Sequence, residues 1–100
     1  MHMGAPKNPR LLLNHHGDDI VLPLVLKETL IGRIDSNHVV LEAEDVSRIH
    51  ARVLVGPSGV EVEDCGSTQG TLVNGDPIDR VFLKDGDVVQ VGSVKILFAE

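Results

Sequence analysis

The sequence predicts an all-β domain, an antiparallel β-sandwich of about ten short strands, and three observations carry that prediction. The apolar residues, 42% of the chain, are mostly Val, Leu and Ile, with only Phe82 and Phe98 as aromatics. A core of that composition favours strands, where β-branched side chains pack well on a pleated surface. Apolar and polar residues alternate with period two in the clearest windows, and no window longer than a turn has a convincing helical period. Turn clusters of Gly, Asn, Asp, Pro and Ser recur at roughly 8–12 residue spacing, as in a sandwich or barrel.

The elements follow in order. Residues 10–13 form a short apolar strand that ends in the turn-rich cluster 14–19. Residues 20–24 return, and Pro23, which has no amide proton for a ladder, places them at a sheet edge. Residues 28–33 form the next strand, 34–37 a loop and 38–41 a brief strand; the acidic connection 42–45 leads into Ser47-Arg48. In 49–55, Ala51, Val53 and Val55 share one face while His50, Arg52 and Leu54 share the other. Residues 56–59 are a turn and 60–63 alternate strictly. Residues 71–73 run into Asn74-Gly75, the strongest short hairpin signal in the chain. Residues 78–83, 87–91 and 94–98 complete the set, with turns at Asp85-Gly86 and Gly92-Ser93. Cys65 is expected as a small filler facing the core.

A chain of 100 residues suits one domain with one core. Residues 8–100 are assigned to that domain, and residues 1–7 are expected to be disordered or derived from an expression vector. The domain is expected to serve a larger protein. Its formal charge is −6, from 15 acidic and 9 basic residues, which opposes nucleic-acid binding and a polybasic membrane attachment. Attraction for an anion must therefore be local, built from a few arginines in an acidic surround. A single cysteine excludes an internal disulfide and fits a reducing compartment. The apolar stretch 20–26 is far short of the ~18 residues of a membrane span, and no secretory signal is visible. An intracellular, cytoplasmic placement without membrane insertion is expected.

Three polar motifs sit where strands begin or end: Gly32-Arg33, Ser47-Arg48-Ile49-His50, and Gly66-Ser67-Thr68-Gln69-Gly70-Thr71 followed by Asn74-Gly75. Where such loops meet, two guanidiniums and two hydroxyls converge. That set suits an oxyanion of about two charges and three acceptor oxygens, a phosphate monoester. Arg33 stays charged at physiological pH and its planar fork matches two phosphate oxygens. Serine and threonine hydroxyls rotate to donate without adding charge. Gly32 removes bulk where backbone approaches a neighbour or ligand.

Other chemistries are unsupported. His15-His16 lacks the cysteines or the helical histidine pair of a metal set. Ser47, His50 and Asp64 show no nucleophile elbow, and the glycine-rich segments 56–59 and 66–70 precede neither Lys-Ser/Thr nor a helix. No catalytic residue, metal or cofactor is assigned. Arg52 is taken as a surface residue, and Glu42, Glu44 and Asp45 are alternative partners for Arg48.

The ordered series Gly-Arg, Ser-Arg-x-His, Gly-Ser-Thr-x-Gly-Thr-x-Val-Asn-Gly resembles the forkhead-associated (FHA) domain from about Leu30 to Phe98. The resemblance implies an eleven-stranded sandwich of the FHA/SMAD type whose loops bind phosphothreonine peptides. Carried over by position, it implies phosphate or peptide contact by Arg33, Ser47 and Arg48, and a role for Thr68 in the phosphate site and the threonine methyl pocket. Gly32, His50 and Asn74 would support the site. Gln69 stands where the family commonly has Asn; its amide reaches ~1.5 Å further, so peptide contact is expected in a shifted pose. The implied function is a non-catalytic phosphothreonine-dependent interaction module within a Ser/Thr kinase pathway. Its partner is a phosphothreonine-containing protein, in trans or within a larger parent chain. The alternative is a phosphate-independent interaction or self-assembly domain that uses another surface of the same sandwich.

Overall fold

The computed structural model describes residues 7–100, and the segment 1–7 expected to be disordered or vector-derived lies outside it apart from Lys7. Eleven strands form two sheets: β1 Arg10–His15, β2 Asp18–Pro23, β3 Glu28–Gly32, β4 Val39–Val40, β5 Ala51–Gly56, β6 Gly59–Asp64, β7 Thr71–Val73, β8 Asp76–Ile78, β9 Arg80–Phe82, β10 Val88–Val91 and β11 Val94–Ala99. One sheet has the order β2-β1-β11-β10-β7-β8 and the other β4-β3-β5-β6-β9. Pro23 lies on β2, an edge strand, as its missing amide proton requires.

The inner faces follow the period-two pattern. Leu11 and Leu13 of β1, Val60 and Val62 of β6, and Ile96 and Phe98 of β11 all point into the core. Phe98 is fully buried and is the largest side chain there. On the outer face of the five-stranded sheet, Arg52 pairs with Glu63 and Glu28 at 2.6 and 2.7 Å, and Arg80 pairs with Glu61. Arg52 thus lies on the surface as expected, and its ion pairs are a further finding.

Several local expectations change. The segment read as one strand over 78–83 is divided, because the chain leaves β8 in one sheet and enters β9 in the other at Asp79. There the Asp79 carbonyl accepts the Asp64 amide at 2.8 Å. Strand switching at a sandwich corner leaves little trace in a short apolar run. The β3–β4 pair is parallel, unlike every other pair. Cys65 is exposed rather than core-facing. Val60 and Val62 point inward, so Glu61, Glu63 and Cys65 take the outward parity while Asp64 turns toward the interior. His50 precedes β5 and is fully buried, so it does not share an outer face with Arg52. The His15 and His16 rings lie 3.9 Å apart, because His16 leaves the strand at φ 53° instead of pointing to the opposite face.

Candidate phosphate-binding site

At one end of the sandwich the segments after β3, before β5 and between β6 and β7 are tied together by backbone. β3 stops at Gly32, where a Cβ would strike the Arg48 carbonyl and lie 2.7 Å from Asn37 Nδ2. No larger residue fits without moving the Arg48 backbone. Just beyond, the Arg33 amide donates to the Ser47 carbonyl at 3.0 Å and the Ile34 amide to the Arg48 carbonyl at 3.3 Å. Asn37, buried, adds Nδ2 bonds to the carbonyls of Ile34 and Arg48 at 2.7 and 2.8 Å, leaving its Oδ1 without a partner among the described residues. Sequence reasoning passed over Asn37 as a loop residue.

Arg33 is exposed, and its Nε donates to the Val46 carbonyl at 3.0 Å. That bond sets the direction of the guanidinium, and among the described residues neither terminal nitrogen has a hydrogen-bond partner. Arg48 is exposed too, and among the described residues neither arginine makes an ion pair. Glu42, Glu44 and Asp45 therefore do not neutralise Arg48.

His50 lies beneath, fully buried. Its Nδ1 accepts the Ser47 amide at 3.0 Å, and its Nε2 lies 2.8 Å from the Gly70 carbonyl. A carbonyl only accepts, so Nε2 carries the proton and the ring is in its neutral Nε2–H form. One imidazole thus joins the Ser47 segment to the loop between β6 and β7.

That loop is organised by Asp64, a residue the motif pattern did not single out for this role. Its carboxylate accepts the amides of Gly66 and Ser67 at 3.0 and 3.1 Å and the hydroxyls of Ser67 and Thr71 at 2.5 and 2.7 Å. Partial burial pushes its pKa up, but the hydroxyls of Ser67 and Thr71 and the amides of Ser67 and Gly66 outweigh this. The carboxyl is held below its usual range. Ser67 Oγ also accepts the Gly70 amide at 2.9 Å. The loop therefore presents Thr68 and Gln69, both exposed, on a fixed backbone.

Arg33, Ser47, Arg48 and Thr68 come together around one depression of about 510 Å³, with Ile34, Ile49 and Gly66 in its walls. Ser47 Oγ accepts the Thr68 amide at 3.0 Å, which leaves its hydroxyl proton for a ligand. Gln69 lies to one side, on a smaller depression of about 160 Å³ shared with Arg33, Glu44 and Asp45. Asn74 lies away from the cluster, beyond the far end of β7. With φ 52°, followed by Gly75 at 88°, it makes the hairpin turn and bonds Asp87 and the Val88 amide. A larger depression of about 680 Å³ also borders Arg33, but Asp35, Glu42 and Glu44 line it. Those carboxylates repel a dianion, so the depression that holds both arginines is the better candidate for a phosphate.

Hydrogen-bonded loops on a β-sandwich, presenting hydroxyls and two arginines that make no ion pair among the described residues, define a module suited to oxyanion recognition. A sequence model of the FHA domain matches residues 29–92, and the chain belongs to that family. It is 41% identical over 70 residues to the ABC transporter ATP-binding/permease protein Rv1747 of Mycobacterium tuberculosis, covering 70% of this chain and 8% of that protein. It is 33% identical over 97 residues to the glycogen accumulation regulator GarA of Mycolicibacterium smegmatis, covering 95% of this chain and 61% of GarA. The chain thus spans less than two thirds of either relative. A structure solved in a study of phosphothreonine-dependent FHA domain interactions superposes with a TM-score of 0.86 at 29% identity, covering 93% of this chain and 96% of that one.

Proposed function

We propose that this chain is a non-catalytic, phosphothreonine-dependent protein–protein interaction module, with residues 8–100 as one binding domain. The observation that carries the reading is the convergence, on one depression, of the Ser47 hydroxyl and Thr68 with two guanidiniums that make no ion pair among the described residues. Arg33 and Arg48 supply charge, Ser47 donates to a phosphate oxygen, and Thr68 shapes the site beside the threonine methyl. Gln69 extends toward the peptide backbone from the rim. Gly32 and His50 hold the loops, and Asn74 acts at a distance by fixing β7 against β10. His50, the histidine beside Ser47, has both ring nitrogens engaged by backbone, so neither is placed to take a hydroxyl proton. That geometry serves binding rather than nucleophilic chemistry.

The partner is a phosphothreonine-containing protein segment, in trans or in a larger parent chain, made by a Ser/Thr kinase inside the cell. The similarity to a solved structure from work on phosphothreonine-dependent FHA interactions supports the same reading. No helix of the described residues is long and apolar enough to cross a membrane.

A titration of the folded domain against a degenerate phosphothreonine library, with matched phosphoserine and unphosphorylated libraries, tests this. Binding to the phosphothreonine library alone, or most strongly, is expected; equal binding to the unphosphorylated library removes the reading.

One observation favours a second reading, a phosphate-independent interaction surface. On the outer face of the six-stranded sheet, Val21, Leu12, Leu97 and Val88 stand opposite one another across four strands, with Val21 59% exposed. That surface predicts capture of an unphosphorylated partner that is insensitive to Arg33→Ala.

A further inference from the structure

We infer that Ile49, with Ile34 beside it, forms an aliphatic subsite that reads one residue flanking the phosphothreonine; the inference rests on the phosphothreonine reading above. In Ser47-Arg48-Ile49-His50, three side chains serve the phosphate depression or the loop beneath it. The fourth is an isoleucine left 43% exposed. A single exposed apolar residue is ordinary on a protein surface. The position of Ile49 is not, because it and the half-buried Ile34 line the same depression as Arg33, Ser47, Arg48 and Thr68. A peptide that places a phosphate among those donors must run past this wall or leave on the opposite side.

The wall is also pre-organised. The Arg48 carbonyl, just before Ile49, accepts both the Ile34 amide and Asn37 Nδ2. Just after it, the His50 amide donates to the Ile31 carbonyl at 2.9 Å. The backbone of Ile49 is therefore pinned on both sides, and its β-branched side chain has few rotamers to lose. Apolar contact at such a position carries little ordering cost, which is where binding energy is usually lost.

The opposite side has a different chemistry. Beyond Arg33 and Ser47, the neighbouring depression is bounded by Glu44, Asp45 and Gln69. A ligand residue there meets carboxylates, whereas a residue on the Ile49 side meets no carboxylate in the wall of the depression. The site is thus asymmetric, and the aliphatic preference belongs to one direction along the peptide only.

The test uses phosphothreonine peptides in which Leu, Ala or Asp is placed at each flanking position in turn. Affinities are measured by fluorescence anisotropy for the wild type, Ile49→Ala and Ile49→Val. An aliphatic side chain that buries on the order of 50 Å² against Ile49 gains roughly 5- to 10-fold in affinity. Leu is therefore expected to exceed Ala by about that ratio on one side of the phosphothreonine, with Asp weakest there. The ratio should collapse in Ile49→Ala and persist in Ile49→Val, while circular dichroism shows all three folded. A flat series in a wild type that still requires phosphate overturns the subsite alone, as does a ratio that survives Ile49→Ala. Equal binding of phosphorylated and unphosphorylated peptides overturns the phosphothreonine reading and the subsite with it.

Discussion

The Ser47 hydroxyl oxygen accepts the backbone amide of Thr68 at 3.0 Å, joining two loops that are 21 residues apart in sequence. Ser47 therefore has two capacities: its lone pair holds Thr68 in place, and its hydroxyl proton is left to donate elsewhere. A phosphate bound there would bear on both loops at once, and the proposed site would then act as a unit rather than as separate contacts.

Arg33→Ala should lower affinity for a phosphothreonine peptide by at least ~100-fold, the cost of losing two charge-assisted hydrogen bonds. The fold should survive, because the substitution removes only the Nε bond to the Val46 carbonyl within the protein. Its melting temperature should fall by no more than about 10 °C. Arg33→Lys should recover little, since a point charge lacks the planar fork. Calorimetric titration checks the affinities, and unaltered binding by Arg33→Ala would place the phosphate elsewhere.

His50→Ala should be a stability variant first. It leaves the Ser47 amide and the Gly70 carbonyl without partners and opens a cavity beneath the site. The expected loss is about 2–4 kcal/mol, or roughly 10–25 °C in melting temperature. Denaturant unfolding measures it, and a change within ~0.5 kcal/mol would show that the ring does not bridge the loops.

Asp64 makes the stability of the β6–β7 loop depend on acidity. Its folded pKa lies below its ordinary value, so the unfolded chain binds this proton more readily than the folded one. The contribution is fully present above the unfolded value of ~3.9 and is lost as pH falls through the lower folded value. Wild-type stability should thus decline more steeply below about pH 4 than that of Asp64→Asn, as seen in melts across that window. Parallel profiles would remove Asp64 from the account.

Ligand protonation gives a separate signature at higher pH. The second pKa of a phosphothreonine lies near ~6, whereas both arginines keep their charge. Affinity should therefore weaken as pH falls from about 7 to about 5, in a range where Asp64 remains ionised. A flat profile would mean that the dianion is not what the site recognises.

Much of this was legible in the sequence because it rests on local pattern. Alternation in 60–63 identified the inward Val60 and Val62, and the same parity carries Cys65 outward, against the expectation of a core filler. Arg33, Ser47, Arg48 and Thr68 were recognisable because charge and hydroxyl chemistry belong to the residue itself. Asn37 was not singled out and Asp64 was weighed only as a catalytic acid, because an Asn or Asp in a loop or at a strand end looks alike whether it is solvated or bonded to several backbone groups. The division of 78–83 into β8 and β9 was hidden for a similar reason: a short apolar run does not say which sheet receives it.

The sequence by itself determined the all-β class, the two-faced alternation of 49–55 and 60–63 and the residue types available to meet a phosphate. Tertiary structure decided which of those residues share a surface. It brought Ile34 and Ile49 beside Arg33 and Arg48, placed Asn74 at the far end of β7 and left Arg48 without an acidic partner among the described residues. The reason is physical: facing direction along a strand is set by neighbours two residues away. The meeting of loops is set by strand pairings between distant segments, whose closure cost and register appear in no short window.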